Sequence, residues 1–142
     1  MQLHRQSFGT ETGHPLLIVH GLFGAGKNWR ALARNFAKSR WVVTVDLRNH
    51  GQSPWSSSNT YFDLAADLAV CIDELGGFAD VLGHSMGGKA AMVLALQHPK
   101  KIRSLIVGDI APVNYLHSQS EHIAVMQKLP LKKISRRSEA QK

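Results

Sequence analysis

With a single cysteine, Cys71, in 142 residues, an internal disulfide is excluded. A lone thiol fits a reducing compartment, so a cytoplasmic location is expected. Long apolar runs are missing as well, and none approaches the roughly 18–20 residues that cross a bilayer. The opening residues, Met1-Gln2-Leu3-His4-Arg5-Gln6, lack the uninterrupted apolar segment of a secretory signal. Acidic residues are few, 10 against 17 Lys and Arg, giving a net charge of +7. That imbalance is local: residues 128–142 hold six Lys or Arg against Glu139 alone, whereas residues 1–127 carry only +2. The basic stretch has no aromatic side chain to stack on bases and contains Leu129-Pro130-Leu131, which argues against nucleic-acid binding. There is no internal repeat and no evident linker.

What is present is a globular composition, 44% hydrophobic and 19% charged, in a chain of about one domain. Continuous apolar runs at Leu16–Val19, Trp41–Val45, Ala79–Leu82 and Ile102–Val107 read as strands buried on both faces. Met1–Phe8 is expected to add an edge strand. Between the runs lie helical patterns. Asn28–Ser39 places Trp29, Leu32, Ala33 and Phe36 on one face. Tyr61–Leu75 sets a stripe of Leu64, Leu68, Cys71, Ile72 and Leu75 against Asp63, Asp67, Asp73 and Glu74, with Gly76-Gly77 as a stop. Cys71 is on the apolar side and reads as a structural thiol. Lys89–His98 is apolar almost all round, as a buried helix would be. Alternating strands and helices of this kind mean an α/β fold with a mainly parallel sheet. In such sheets ligands bind beyond the carboxyl ends of the strands. Those ends carry His20-Gly21, Asp46, His84-Ser85 and Asp109.

Two motifs stand at strand ends. Gly83-His84-Ser85-Met86-Gly87-Gly88 is a G-x-S-x-G pattern between a strand and a helix, where a sharp turn can lift a serine Oγ out of the sheet. The bland alternative is a packing turn in which Ser85 merely caps the helix. Gly21-Leu22-Phe23-Gly24-Ala25-Gly26-Lys27 matches G-x-x-x-x-G-K, the phosphate-cradling loop of nucleotide-binding proteins, but the next residue is Asn28 where a Ser or Thr should reach magnesium. Beside Ser85, the same loop has another use. An acyl-transfer intermediate needs two backbone N–H donors for its oxyanion, and Met86 and Leu22 are the candidates.

His20-Gly-Leu-Phe-Gly24, Asp46-Leu-Arg-Asn-His-Gly-Gln-Ser53, Gly83-His-Ser-Met-Gly-Gly88 and Asp109-Ile-Ala-Pro-Val113 occur in this order. Together they resemble the α/β-hydrolase fold, and within it the YbfF-like esterases, over Met1 to about Val113. Residues 1–113 would be the N-terminal part of the hydrolase core, and 114–142 the start of a helical lid with a basic tail. The resemblance implies Ser85 as nucleophile, Leu22 and Met86 as the oxyanion hole, and Asp109 as candidate triad acid, with a turn-capping role for Asp109 as the alternative. Asp46, Arg48 and His50 would brace their loop. The implied activity is hydrolysis of small-molecule acyl esters or thioesters through an acyl-enzyme, with no metal or organic cofactor.

One residue of that machinery is missing. A serine needs an adjacent base, normally a histidine late in this fold. Only His98, His117 and His122 follow Ser85. His98 ends the elbow helix, and the other two fall where a lid should begin. The chain is therefore expected to be a C-terminally truncated hydrolase of reduced or no activity, or an inactive hydrolase-like fragment. In either case Ile102–Val107 would lie at an apolar sheet edge.

Overall fold

Four apolar runs become β2 (Leu16–Val19), β3 (Val42–Val45), β4 (Ala79–His84) and β5 (Ile102–Gly108), and Arg5–Phe8 becomes β1. The computed structural model describes residues 1–115, 119–130, 134–136 and 138. It has one five-stranded sheet in the order β1-β3-β2-β4-β5. β1 runs antiparallel to β3, with Phe8 opposite Val42, and every other pair is parallel. This is the α/β architecture that the alternating pattern implies. β2 and β3 are buried along their whole length because helices pack on both faces of the sheet. β5 forms the other edge of the described sheet, and its Ile106 is half exposed.

On one face, α2 (Tyr61–Glu74) and α3 (Met86–Gln97) pack over Leu17, Val19, Val43, Val45 and Val81. α2 begins in a capping box. The Thr60 hydroxyl accepts the Asp63 N–H at 3.1 Å, and the Asp63 carboxylate accepts the Thr60 N–H at 2.9 Å. It ends where the Gly77 N–H returns to the Ile72 carbonyl at 2.9 Å. The stripe Leu64, Leu68, Cys71, Ile72 and Leu75 is buried as expected, and burial pushes the Cys71 thiol pKa up.

Three local expectations change. Asp67 is not on the polar face of α2 but is 1% exposed. Its spacing explains this, since it follows Leu64 by three residues and precedes Cys71 by four, inside the apolar stripe. Its charge is met by Arg48, whose Nε and Nη2 donate to it at 2.6 and 2.8 Å, and by the chain's terminal ammonium at 2.7 Å. The segment expected to be one helix over 28–39 is a 3₁₀ turn, Gly26–Trp29, followed by α1 (Arg30–Phe36). α1 covers the second face through Ala33 and Phe36, packed with Leu16, Ile18 and Val42, while Leu32 points outward. Finally, α3 is not buried all round: Gly87, Gly88, Ala90, Ala91 and Leu94 face the core, and Leu96 is 84% exposed.

These elements up to Pro112 make one compact unit, and Val113–Lys142 make another. The second contains α4 (Ser120–Lys128), none of whose residues is buried. His117 and most of the basic tail, including Lys132, Lys133, Arg137 and Lys142, lie outside the described residues. Among the described residues no helix is long and apolar enough to cross a membrane.

Breaking a buried ion pair from one side leaves an uncompensated charge, at a cost of about 3–5 kcal/mol. Asp67→Asn should therefore lower unfolding free energy by that order. Asp73→Asn, which removes a surface partner of Lys101, should cost under about 1 kcal/mol. Urea denaturation of both variants checks this, and equal losses would contradict the bracing role of Asp67.

Candidate active site

Parallel register lines up the carboxyl ends of four strands. Val19 lies opposite both Val45 and Gly83, and Gly83 lies opposite Val107. His20, Asp46, Ser85 and Asp109, just beyond, therefore share one edge of the sheet, where α/β proteins place their ligands.

β4 ends at His84 and α3 begins at Met86, so Ser85 makes the turn alone. Its φ of 51° and ψ of −118° lie in a region that costs a non-glycine residue about 1–3 kcal/mol. Two backbone bonds hold it there: its N–H donates to the Gly108 carbonyl at 2.9 Å, and its carbonyl accepts the Lys89 N–H at 3.1 Å. The approach of α3 to β2 also depends on Gly87. A Cβ there would overlap the His20 carbonyl and lie 2.7 Å from that of Val19. The Ser85 side chain makes no cap bond to α3, so helix capping does not account for the serine.

The candidate oxyanion donors flank this turn. Met86 is the first residue of α3 and its N–H has no intrahelical acceptor. Among the described residues neither the Met86 nor the Leu22 amide donates to a protein acceptor. The loop carrying Leu22 runs against the elbow: a Cβ on Gly21 would lie 2.9 Å from His84 Nδ1 and 3.1 Å from Ser85 Cβ. A tight turn closes that loop, with the Gly24 N–H on the Gly21 carbonyl at 3.0 Å and Phe23 at a φ of 62°.

Farther along the loop, the amides are engaged. The Ala25 N–H donates to Asn28 Oδ1 at 2.7 Å and the Gly26 N–H to Asp46 Oδ1 at 2.6 Å. A nucleotide-cradling loop needs such amides free for phosphate. With a carboxylate and a side-chain amide in that place, the nucleotide alternative does not fit the geometry.

The neighbouring polar residues brace the site. Asp46 also accepts the Gln52 N–H at 2.9 Å, and His50 Nδ1 bonds the Arg48 carbonyl at 2.9 Å. His20 Nε2 accepts the Leu47 N–H at 2.9 Å, so its proton sits on Nδ1, which donates to the Gly21 carbonyl at 2.8 Å. Burial lowers the pKa of His20, which keeps it neutral with both nitrogens occupied. It ties the Leu22 loop to the end of β3.

Asp109 stands at the end of β5, beside the Gly108 carbonyl that anchors Ser85. Its carboxylate is 81% exposed and its Oδ2 lies 3.4 Å from His84 Nε2, while the His84 ring meets Trp29 at a centroid distance of 5.7 Å. His98 is the C-cap of α3, about 20 Å from Ser85 at the rise of a helix. His122 belongs to the second unit, and His117 lies outside the described residues. The first unit thus brings together Ser85, the Met86 amide and the loop that carries Leu22. Asp109 stands on the next strand end, with His84 as its partner. Sequence reasoning missed the Gly108 carbonyl and the Trp29 contact, and neither has a residue-type signal. Among the described residues no group of three or more His, Cys, Asp or Glu is placed to hold a metal ion.

A strained serine at a strand-to-helix elbow, on the carboxyl edge of a parallel sheet, defines an α/β protein of the hydrolase type. The sequence profile described as "alpha/beta hydrolase fold" matches residues 14–132, and the chain belongs to this family. It is 40% identical over 139 residues to an sn-1-specific diacylglycerol lipase ABHD11 of Xenopus laevis, covering 94% of this chain and 45% of that one. It is 42% identical over 102 residues to esterase YbfF of Escherichia coli, covering 71% of this chain and 40% of the esterase. A solved marine microorganism esterase superposes with a TM-score of 0.90 at 36% identity, covering 98% of this chain and 56% of that structure. The chain spans less than half the length of these two curated relatives. Proteins named as esterases and lipases are thus among its relatives.

Because the Ser85 backbone is strained, Ser85→Gly should raise unfolding free energy by about 1 kcal/mol after the entropy cost of glycine. Ser85→Ala, which keeps the Cβ, should change it by less than about 0.5 kcal/mol. Thermal and urea denaturation compare the two, and a Gly variant less stable than the Ala variant would contradict the strained elbow.

Proposed function

We propose that these residues form the nucleophile half of a serine hydrolase that cleaves acyl esters or thioesters through an acyl-enzyme. One observation carries the reading: Ser85 is held in a strained backbone by Gly108 and Gly87 while its hydroxyl is left out of helix capping. In this account Ser85 Oγ attacks the acyl carbonyl, and the Leu22 and Met86 amides take the oxyanion that forms. A histidine base accepts the Ser85 proton and passes it to the leaving alcohol or thiol. Water, activated by the same base, then attacks the acyl carbon and frees Ser85.

The base is assigned to a part of the family fold that these residues do not span. This is supported by the 45% coverage of the diacylglycerol lipase and by the histidines of the first unit, none of which is hydrogen-bonded to Ser85 among the described residues. Asp109 is the candidate acid to orient that base, and residues 114–142 are assigned to the start of a helical lid. The substrate is a small acyl ester or thioester, no cofactor takes part, and the free buried Cys71 suits a cytoplasmic setting. A second reading, a hydrolase-like fragment without turnover, rests on the observation that within the first unit no described histidine is hydrogen-bonded to Ser85.

A fluorophosphonate probe with peptide mass spectrometry tests the nucleophile. Slow labelling of Ser85 in the 142-residue chain, abolished in Ser85→Ala, is expected. Turnover of a short-chain nitrophenyl ester should stay within about 10³–10⁴-fold of the water reaction, the residue of catalysis left without a triad. An unlabelled Ser85 in folded protein would sink the proposal in favour of the second reading.

A further inference from the structure

All nine residues of α4 (Ser120–Lys128) are exposed. A helix exposed all round is normally polar all round, and this one is not. Ile123 and Met126 lie three residues apart on one side. Val125, four residues before Leu129, widens that side, and His122 shares it at the amino end. Ser120, Glu121, Ala124 and Lys128 fall on the opposite side. Ile123, Met126 and Val125 are 38, 39 and 62% exposed. An apolar side turned to water gains free energy when something covers it.

The charge of the sequence that follows α4 selects the cover. From Lys128 to Lys142 there are six Lys or Arg, and Glu139 is the one acidic residue. The cover is therefore negative as well as apolar. An anionic bilayer supplies both, with acyl chains beneath a surface of headgroup charge. RNA supplies only the charge, and no Phe, Trp or Tyr follows Tyr115 to stack on its bases. Six cations spread over fifteen residues also fit a continuous charged surface better than one acidic pocket. An apolar helix side beside Lys and Arg is the pattern of a segment that lies on a membrane. Either signal alone attaches only marginally, and the two together hold. Glu121, the one acidic residue of α4, is on the side that would face away from the headgroups.

We propose that α4 docks on the surface of an anionic lipid bilayer, with Ile123, Val125 and Met126 among the outer acyl chains and the basic residues of 128–142 meeting the headgroup charge. The helix lies on the bilayer and does not cross it, because nine residues reach about 14 Å against a hydrocarbon core of about 30 Å. Neither Ser85 nor turnover takes part, so the docking stands or falls apart from the hydrolase reading.

Co-sedimentation of the 142-residue chain with lipid vesicles tests the surface. Vesicles of equal parts phosphatidylcholine and phosphatidylserine should bind the chain at low salt, and added salt should weaken that binding. Vesicles of phosphatidylcholine alone should bind at least about tenfold more weakly, because they lack the charge. Ile123→Ser combined with Met126→Ser, both at exposed positions, should weaken binding to the mixed vesicles at least about tenfold by removing the apolar signal. Lys132→Gln and Lys133→Gln should each weaken it about fivefold. Lys38→Gln, at an exposed position after α1, should leave it unchanged. The surface is overturned by no binding of the folded chain to mixed vesicles, by equal binding to both vesicle types, or by full binding of the Ile123 and Met126 double variant. Tighter binding to single-stranded RNA than to the mixed vesicles would likewise overturn it and assign the charge to nucleic acid.

Discussion

The bond from the Ser85 N–H to the Gly108 carbonyl joins the elbow to the end of β5, and the rest of the site is arranged around that junction. Without it a serine at a φ of 51° would relax, because the conformation costs about 1–3 kcal/mol in isolation. The surrounding packing overdetermines it. Gly87 lets α3 start against the β2 carbonyls, Gly83 lies in β4 directly beside Val107 of β5, and Lys89 closes the first helical turn on the Ser85 carbonyl. Strain held by several independent contacts is a form of preorganisation. In the proposed reaction this fixes the nucleophile and one oxyanion donor in advance.

A second tier of polar residues holds the loops that face the elbow. His20 spans from the Gly21 carbonyl to the Leu47 N–H, Asp46 gathers the Gly26 and Gln52 amides, and Arg48 carries the loop after β3 onto Asp67 of α2. These groups are buried and charged or polar, and each is satisfied by neighbours, the arrangement in which burial costs least. Their positions near Ser85 make them look catalytic, yet their bonds are spent on the scaffold. Asp109 differs, because its carboxylate is exposed and free to take a partner other than His84.

Much of this was legible in the sequence because it rests on period and punctuation. Four continuous apolar runs became four parallel strands, and Thr60 and Gly76-Gly77 bound α2 as their side chains and φ angles require. The serine motif lay at a strand end because only there do glycines at fixed offsets serve a turn. The failures share a cause. The charge of Asp67 points to solvent although its spacing puts it in the stripe, and the apolarity of Leu32 points to the core although Ala33 and Phe36 fill that contact. Residue type overrode geometry in both. The Gly108 carbonyl, the tautomer of His20 and the engaged amides of Ala25 and Gly26 were invisible for another reason: backbone groups carry no residue signature, and only tertiary placement decides their partners.

The proposed function requires Ser85 and the Leu22 and Met86 amides to form one acyl-transfer centre. The most direct measurement is amide NMR of the ¹⁵N-labelled chain titrated with phenylboronic acid, which forms a tetrahedral adduct on an activated serine. The account predicts that the Leu22 and Met86 amide resonances shift together and saturably, more than any others, and that Ser85→Ala removes both shifts. Adduct formation at Ser85 with neither amide perturbed, or no adduct in the folded chain, would contradict it.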